Sequence, residues 1–273
     1  MQLTIVPLGG LGNRMRAVAS AIQTAKETGC RLRIVWRATS DCNARWEDLF
    51  QPLHLAALGL GEEQATIDHG TWAYTPASRG NLWLTALLRR GSYDYQNSCY
   101  RPHADEHIAT LLNKGRVFIA TYYAFAEYSN ELLQQIFVPT HQLAQQIDHT
   151  VSLFTPATVG IHIRRTDNRQ AISESPLSAF RQRIDNALAS GKADRLFLCT
   201  DDCAVRDHLT TLYGDRILCR RVKLNRNSTE AIQDAVVDLW CLSRTKHILG
   251  SYYSSFSDTA AELGHATLEV VRK

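Results

Sequence analysis

From residue 151 to the C-terminus, short apolar runs of strand composition alternate with longer segments of helical periodicity. Strands read over 158–163, 196–199, 217–219, 247–249 and 267–271. Helices read over 177–188, 203–213, 229–242 and 255–263. Strands separated by helices run parallel, and the helices then cover both faces of the sheet. In the 229–242 segment, Ile232, Ala235, Val236, Leu239 and Leu242 form one apolar stripe, and Asn227 with Glu230 reads as its cap. The chain opens in a similar way, with a strand at 3–8, a glycine-rich turn, a helix at 14–28 and a strand at 32–36. Between 41 and 115, Gly, Pro and aromatic residues interrupt the pattern, so short helices and long loops are expected there, followed by a strand at 117–122. The expectation is an α/β chain of two doubly wound halves, 1–150 and 151–273, joined near 138–157.

A length of 273 residues accommodates two such domains. With 45% apolar and 21% charged residues, the chain is globular rather than disordered or fibrous. A net charge of +3 gives no general argument for a nucleic-acid or membrane-surface partner. No apolar run reaches the ~18–20 residues of a transmembrane helix. The first eight residues read directly as a strand rather than a signal peptide. Seven scattered cysteines without a Cys-x-x-Cys indicate neither a zinc site nor a disulfide framework, and point to a reduced, cytoplasmic protein.

Three segments carry chemistry. Gly9-Gly10-Leu11-Gly12-Asn13-Arg14 joins the first strand to the first helix. Its glycines permit a sharp turn, and the following helix start offers N–H groups to a ligand. The dinucleotide fingerprint fits poorly, because Met15 replaces the third Gly and Arg37 stands where an acidic ribose ligand belongs. A plain tight turn and a ligand turn are both open.

The second segment is Val159-Gly160-Ile161-His162-Ile163-Arg164-Arg165-Thr166-Asp167, an apolar strand ending in a polar burst. In an alternating β/α domain, ligands sit at that end. Period two puts His162 and Arg164 on one face and Arg165 on the other. A guanidinium fixed there can clamp a diphosphate through two N–H···O bonds. Arg165 with Asp167 also fits a structural ion pair.

The third segment places Asp234 and Asp238 one helical turn apart, followed by Gly250-Ser251-Tyr252-Tyr253-Ser254-Ser255-Phe256-Ser257 ahead of another helix. Asp234 reads as a solvated face. Asp238 could accept both N–H donors of a guanine edge. The serines suit either a phosphate site or simple capping, and Ser257 reads as capping alone.

In this order and spacing the three segments, with Thr200-Asp201-Asp202, resemble the fucosyltransferases of the α1,6/NodZ and protein-O-fucosyltransferase superfamily. The resemblance implies a GT-B-like pair of Rossmann-type domains facing a cleft, an acceptor-side first half and a nucleotide-sugar-binding second half. It implies GDP-fucose as donor, a glycan or glycolipid acceptor, inversion at the sugar carbon, and no obligatory metal or other cofactor. By that similarity Arg164 holds the β-phosphate, His162 and Asp238 meet the guanine or ribose side, and Ser254 with Ser255 meets the diphosphate. Gly10, Gly12, Asn13 and Arg14 are implied as donor-binding, with Asn13 and Arg14 lining the cleft near the sugar and acceptor. The family's general-base position falls here on Ile172. Glu174 is the nearest carboxylate in sequence, with Asp167 second. The chain looks like a minimal, bacterial transferase working from the cytoplasmic side.

Two other readings compete. His103-Ala104-Asp105-Glu106-His107 matches the His-x-x-Glu-His pattern of inverted zinc peptidases, provided Pro102 starts a helix and Glu127 or Glu131 adds a third ligand. A non-catalytic nucleotide-sugar-binding module would keep the pocket without the chemistry. A kinase or P-loop NTPase is disfavoured, since no Gly-x-x-x-x-Gly-Lys-Ser/Thr occurs.

Overall fold

A computed structural model describes residues 1–75, 82–166, 169–220 and 227–273. Contacts divide the chain into two units, Met1–Thr140 and His141–Lys273, each considered by itself. The boundary lies ten residues before the expected one. Helix α5 (His141–Val151) joins the second unit because its apolar face, with Leu143 and Ile147 buried, packs on a helix of that unit, α9 (Thr229–Ser243). Among the described residues no helix is long and apolar enough to cross a membrane.

The first unit contains β1 (Gln2–Pro7), α1 (Leu11–Thr28), β2 (Arg31–Val35), β3 (Ala65–Asp68), α2 (Leu82–Leu88), β4 (Tyr95–Asn97), α3 (Ile108–Leu112), β5 (Arg116–Thr121) and α4 (Asn130–Ile136). All of its strand pairs are parallel, in the order β3-β2-β1-β5-β4. The central β1 is buried on both faces, as its apolar run requires. Helix α1 packs Met15, Val18, Ala19 and Ile22 inward and stops at Gly29, whose φ of +66 is the left-handed closure that glycine adopts without strain. Among its described residues, the blurred region 41–115 contributes β3 and β4, edge strands of four and three residues, the short helices α2 and α3, and one helical turn at Trp72–Tyr74. Trp46 and Phe50 of this region stack with Trp36 and Phe137 as one aromatic cluster, with ring centroids 5.0–6.2 Å apart.

The second unit follows α5 with β6 (Thr158–Ile163), α6 (Arg169–Glu174), α7 (Leu177–Ala189), β7 (Arg195–Thr200), α8 (Cys203–Tyr213), β8 (Ile217–Cys219), α9, β9 (His247–Ser251), α10 (Ser255–Gly264) and β10 (Thr267–Val271). The parallel order is β10-β9-β6-β7-β8. The chain runs outward from β6 to β8, then returns to add β9 on β6's other side. The strand order therefore reverses between β6 and β9. Ile161, Ile163, Leu196, Leu198, Phe180, Ile184 and Leu209 form the core under α7 and α8. The expected Asn227 cap on α9 is corrected: Ser228 occupies the cap position and accepts the Ala231 N–H at 3.2 Å.

Candidate functional site

The reversal point of the second sheet gathers most of the polar groups singled out in the sequence. Strand β6 ends at Ile163, and the Arg164 backbone N–H donates to Ser251 Oγ on β9 at 3.0 Å. Ser251 Oγ also lies 3.3 Å from the His162 carbonyl, so one hydroxyl ties the two strand ends together. His162 is buried, stacked on Phe256 with centroids 4.8 Å apart, and its Nδ1 lies 3.5 Å from Ser254 Oγ.

On the other side, Asp201 organises the residues after β6. Its carboxylate accepts the Arg165 N–H at 2.6 Å, the Thr166 N–H at 3.3 Å and the Thr166 hydroxyl at 2.7 Å. Asp202 caps α8 by accepting the Ala204 and Val205 N–H groups. The sequence reading noted this acidic pair only as part of a resemblance. Its signal was an Asp-Asp run between a strand and a helix, where carboxylates accept backbone donors. The Arg165 guanidinium donates to the Ser175 carbonyl at 2.8 Å, while its buried Nη1 has no hydrogen-bond partner among the described residues. Burial pulls its pKa down, and Asp201 and Asp202 oppose that shift. Asp167 lies outside the described residues.

The turn from β9 into α10 is tightly built. At Gly250 an added Cβ would come within 2.8 Å of Ser257 Oγ and of a Leu268 methyl, so only glycine lets α10 approach the sheet this closely. Tyr253 has a φ of +54, a strained conformation for a bulky residue. Ser254 sits at the cap position of α10, but its hydroxyl makes no cap hydrogen bond and faces His162 instead. Ser255 is the first helical residue and is half-buried. The Ser257 hydroxyl donates to the Ser254 carbonyl at 3.2 Å, a local role. A helix N-terminus, two serines and the half-buried Arg164 thus meet at one strand end, a combination suited to an anion.

Glu174 ends α6 and is exposed. Its carbonyl accepts the Lys273 N–H at 3.1 Å. The adjacent Ser175 is buried: its carbonyl binds Arg165, and its hydroxyl lies 2.5 Å from the Val271 carbonyl and 2.8 Å from the Tyr252 N–H. These bonds fasten the Glu174 backbone to the same end of the sheet as Arg164.

Asp238 belongs to a different cluster. Arg220 Nη1 donates to Asp238 Oδ1 at 2.9 Å, and Nη2 to Asp234 Oδ1 at 2.8 Å and Gln146 Oε1 at 3.3 Å. The expected solvated Asp234 is therefore corrected to an ion-paired one, which an arginine 14 residues upstream made hard to foresee. Burial pushes the Asp238 carboxyl up to about 6, against the pull of Arg220. Beside this cluster, between α5 and strands β7 and β8, lies a pocket of about 550 Å³ lined by Gln142, Gln146, His149, Phe197, Leu218 and Arg220 among others.

In the first unit the glycine turn serves the fold. Gly9 has φ +78, and an added Cβ would sit 3.0 Å from both Asn13 Nδ2 and the Tyr122 ring. Gly10 precedes α1 at its cap position, and Gly12 is buried within the helix. Arg14 does not line an open surface, which corrects its expected place near the sugar. It is 1% exposed, with Nε donating to the Gly9 carbonyl at 2.8 Å, Nη1 to the Arg37 carbonyl at 2.5 Å and Nη2 to Thr39 Oγ1 at 2.6 Å. Its guanidinium also lies over Trp36. All three nitrogens are committed to the protein itself. The zinc pattern loses its required helix. His103 lies in a turn, while His107 is the cap residue of α3 and accepts the Ala109 N–H at 3.4 Å.

No protein-family model matches the sequence, and no curated protein matches it. Among solved structures it is similar to a NodZ alpha-1,6-fucosyltransferase soaked with GDP-fucose, at 18% identity over 96% of this chain and 92% of that one, with a TM-score of 0.63. It is similar to Arabidopsis thaliana FUT1 in complex with GDP, at 14% identity over 98% and 70%, with a TM-score of 0.64. It is also similar to POFUT1 in complex with GDP, at 10% identity over 98% and 97%, with a TM-score of 0.58. The fold is the GT-B fold of these fucosyltransferases, built from two Rossmann-like α/β domains with parallel five-stranded sheets.

Proposed function

We propose that this chain is an inverting, metal-independent glycosyltransferase that moves L-fucose from GDP-fucose to a glycan or glycolipid acceptor. The observation that carries the reading is the junction of β6 and β9, where the Arg164 N–H, Ser251 and the start of α10 converge at the reversal point of a Rossmann-like sheet. Ligands bind such sheets at that place, and the N-terminus of α10, with a guanidinium on the residue that follows β6, is suited to a diphosphate. The structural likeness to proteins solved with GDP and GDP-fucose supports the choice of nucleotide.

In this mechanism the acceptor hydroxyl oxygen attacks the anomeric carbon as the bond to the diphosphate oxygen breaks. GDP leaves with the bonding electrons, and the hydroxyl proton passes to a carboxylate. Arg164 meets the β-phosphate, where charge grows as the bond breaks, so it stabilises the transition state more than the ground state. Ser254 and Ser255 hold the diphosphate, and His162 and Asp238 serve the nucleoside side. Glu174 is assigned as the base, with Asp167 as its alternative. The first unit, with Asn13 on its glycine turn, is assigned to the acceptor.

A thermal-shift panel of GDP, GDP-fucose, GDP-mannose, UDP-sugars and NADPH tests the donor. A ligand at 100 times its Kd stabilises by about 2.7 kcal/mol. GDP and GDP-fucose should raise the melting temperature, whereas UDP-sugars and NADPH should not. A shift with NADPH alone would replace the transferase with an oxidoreductase. GDP binding without release of fucose to any glycan would reduce the chain to a binding module. Loss of turnover in EDTA would remove metal independence.

A further inference from the structure

The connection from β3 to β4 runs from one edge strand of the first sheet to the other. Its inner side is made by Tyr74 and Tyr93, which pack on Val6, Leu8, Val35, Phe118 and Ala120. Within it, α2 has its polarity reversed. Thr85 is 1% exposed and Arg89, just after the helix, is 3% exposed, whereas Trp83 is 68%, Leu87 50% and Leu88 55% exposed. Arg89 is held inside over the Phe118 ring, donating to Gln96 Oε1, Ser98 Oγ and the Ala73 carbonyl. Trp72 lies on the short helical turn packed against α2 and is 49% exposed. A helix that turns its polar side chains inward and its apolar ones outward has been arranged for an apolar environment outside the protein.

Charge and size indicate what that environment is. Residues 69–93 contain no Asp or Glu, although the whole chain carries 27 acidic residues. Arg90 is exposed immediately after the apolar face. The four apolar side chains expose roughly 450 Å² together, below the ~800 Å² a side that a stable protein interface buries. Tryptophan and leucine beside an exposed arginine, with no carboxylate in the segment itself, is the composition that settles into an anionic lipid–water interface.

We propose that this face of the first unit docks on the anionic surface of a lipid bilayer, with Trp72, Trp83, Leu87 and Leu88 entering the interface and Arg90 meeting lipid phosphates. The site is local, which is why the chain's small net charge does not reveal it. It goes beyond the transferase reading and does not rest on it.

The test is flotation of the full chain with vesicles of phosphatidylcholine alone, or with roughly a third phosphatidylglycerol. The wild type should float with the anionic vesicles, and binding should fall at least about fivefold without the anionic lipid or in high salt. Replacing Trp83→Ser, Leu87→Gln and Leu88→Gln together should reduce vesicle binding at least about tenfold. These side chains are exposed, so the melting temperature and its GDP shift should hold. Arg90→Gln should weaken binding several-fold and flatten its salt dependence. Failure of the wild type to float with either vesicle overturns the proposal. A dimer in sedimentation that the triple variant dissolves also overturns it, in favour of a contact between copies. Neither result touches the donor reading, which the GDP shift tests separately.

Discussion

Each unit has an arginine after its central strand, and the two arginines differ in burial. After β1, Arg14 turns back into the protein and satisfies all three nitrogens on two carbonyls and a hydroxyl. After β6, Arg164 stays half-buried at the reversal point of the sheet, its backbone anchored by Ser251. A fully buried cation with fixed acceptors holds a turn together, whereas a half-buried one at a strand end keeps part of its surface in solvent. Strand-turn-helix topology alone therefore does not tell a ligand site from a structural one. The two arginines differ in how far the protein encloses them: Arg14 is 1% exposed, whereas Arg164 is half-buried.

The largest expected effect lies in the first unit. Arg14→Met keeps much of the volume but leaves the Gly9 and Arg37 carbonyls buried without donors, each costing about 1–3 kcal/mol. Loss of about 3–5 kcal/mol in urea unfolding is expected. A stable variant that has lost only ligand binding would reverse the comparison. In the second unit, Arg164→Ala should leave unfolding within about 1 kcal/mol of wild type but lower turnover roughly 10²–10³-fold, the range for removing a donor to a developing negative charge. It should also largely abolish the GDP thermal shift. Arg164→Lys should fail nearly as badly, because a point charge cannot replace a two-pronged donor. An unchanged GDP shift in both variants would remove Arg164 from the donor site.

The second unit also holds a half-buried arginine, Arg220, and it differs from Arg14 in having carboxylate partners. Asp238 titrates at about 6 in the folded protein and at about 3.9 when unfolded. The native state therefore binds the extra proton between those values, and stability falls as pH rises from about 4 to 6, by roughly 2 kcal/mol. Asp68, Asp94 and Glu47, whose pKa values are lowered, act in the opposite direction. The informative quantity is thus the difference between wild type and Asp238→Asn in urea unfolding across that window. A difference that does not change with pH would mean that the Asp238 carboxyl is not held up.

The alternation of the second half made its sheet legible because each strand there is an apolar run between helices, and 158–163, 217–219, 267–271 and 203–213 coincide with observed elements. β3 and β4 were not legible. They are short edge strands with polar residues, and pairing with β2 and β5 holds them rather than an apolar run of their own. The polar burst at 162–166 was visible because strand and charge adjoin in the chain. The contacts that shape it were hidden, because they join residues far apart: Asp201 lies 36 residues from Arg165, Ser251 lies 87 from Arg164, and Arg220 lies 18 from Asp238. The fate of Arg14 was hidden for the same reason, since its acceptors Arg37 and Thr39 belong to the segment after β2.

The smallest effect compares these arginines with one on the rim of the first sheet. Arg33 grips Asp68 with a fork, Nε to Oδ2 at 2.7 Å and Nη2 to Oδ1 at 3.0 Å, and the Gly70 N–H adds a bond at 2.6 Å. Partial burial alone would raise the Asp68 pKa, but these donors outweigh it and hold it below the usual range. Both side chains are about a third exposed, so water and salt screen the pair. Asp68→Asn should cost about 1 kcal/mol at neutral pH. Because the folded pKa is depressed, that contribution is complete above the unfolded pKa and disappears as pH falls through the folded one. Unfolding at pH 7 and at pH 3, each at low and high salt, checks this. A cost near that of Arg14→Met would mean that exposure does not separate the two arginines, and that a guanidinium's hydrogen bonds matter here regardless of where they lie.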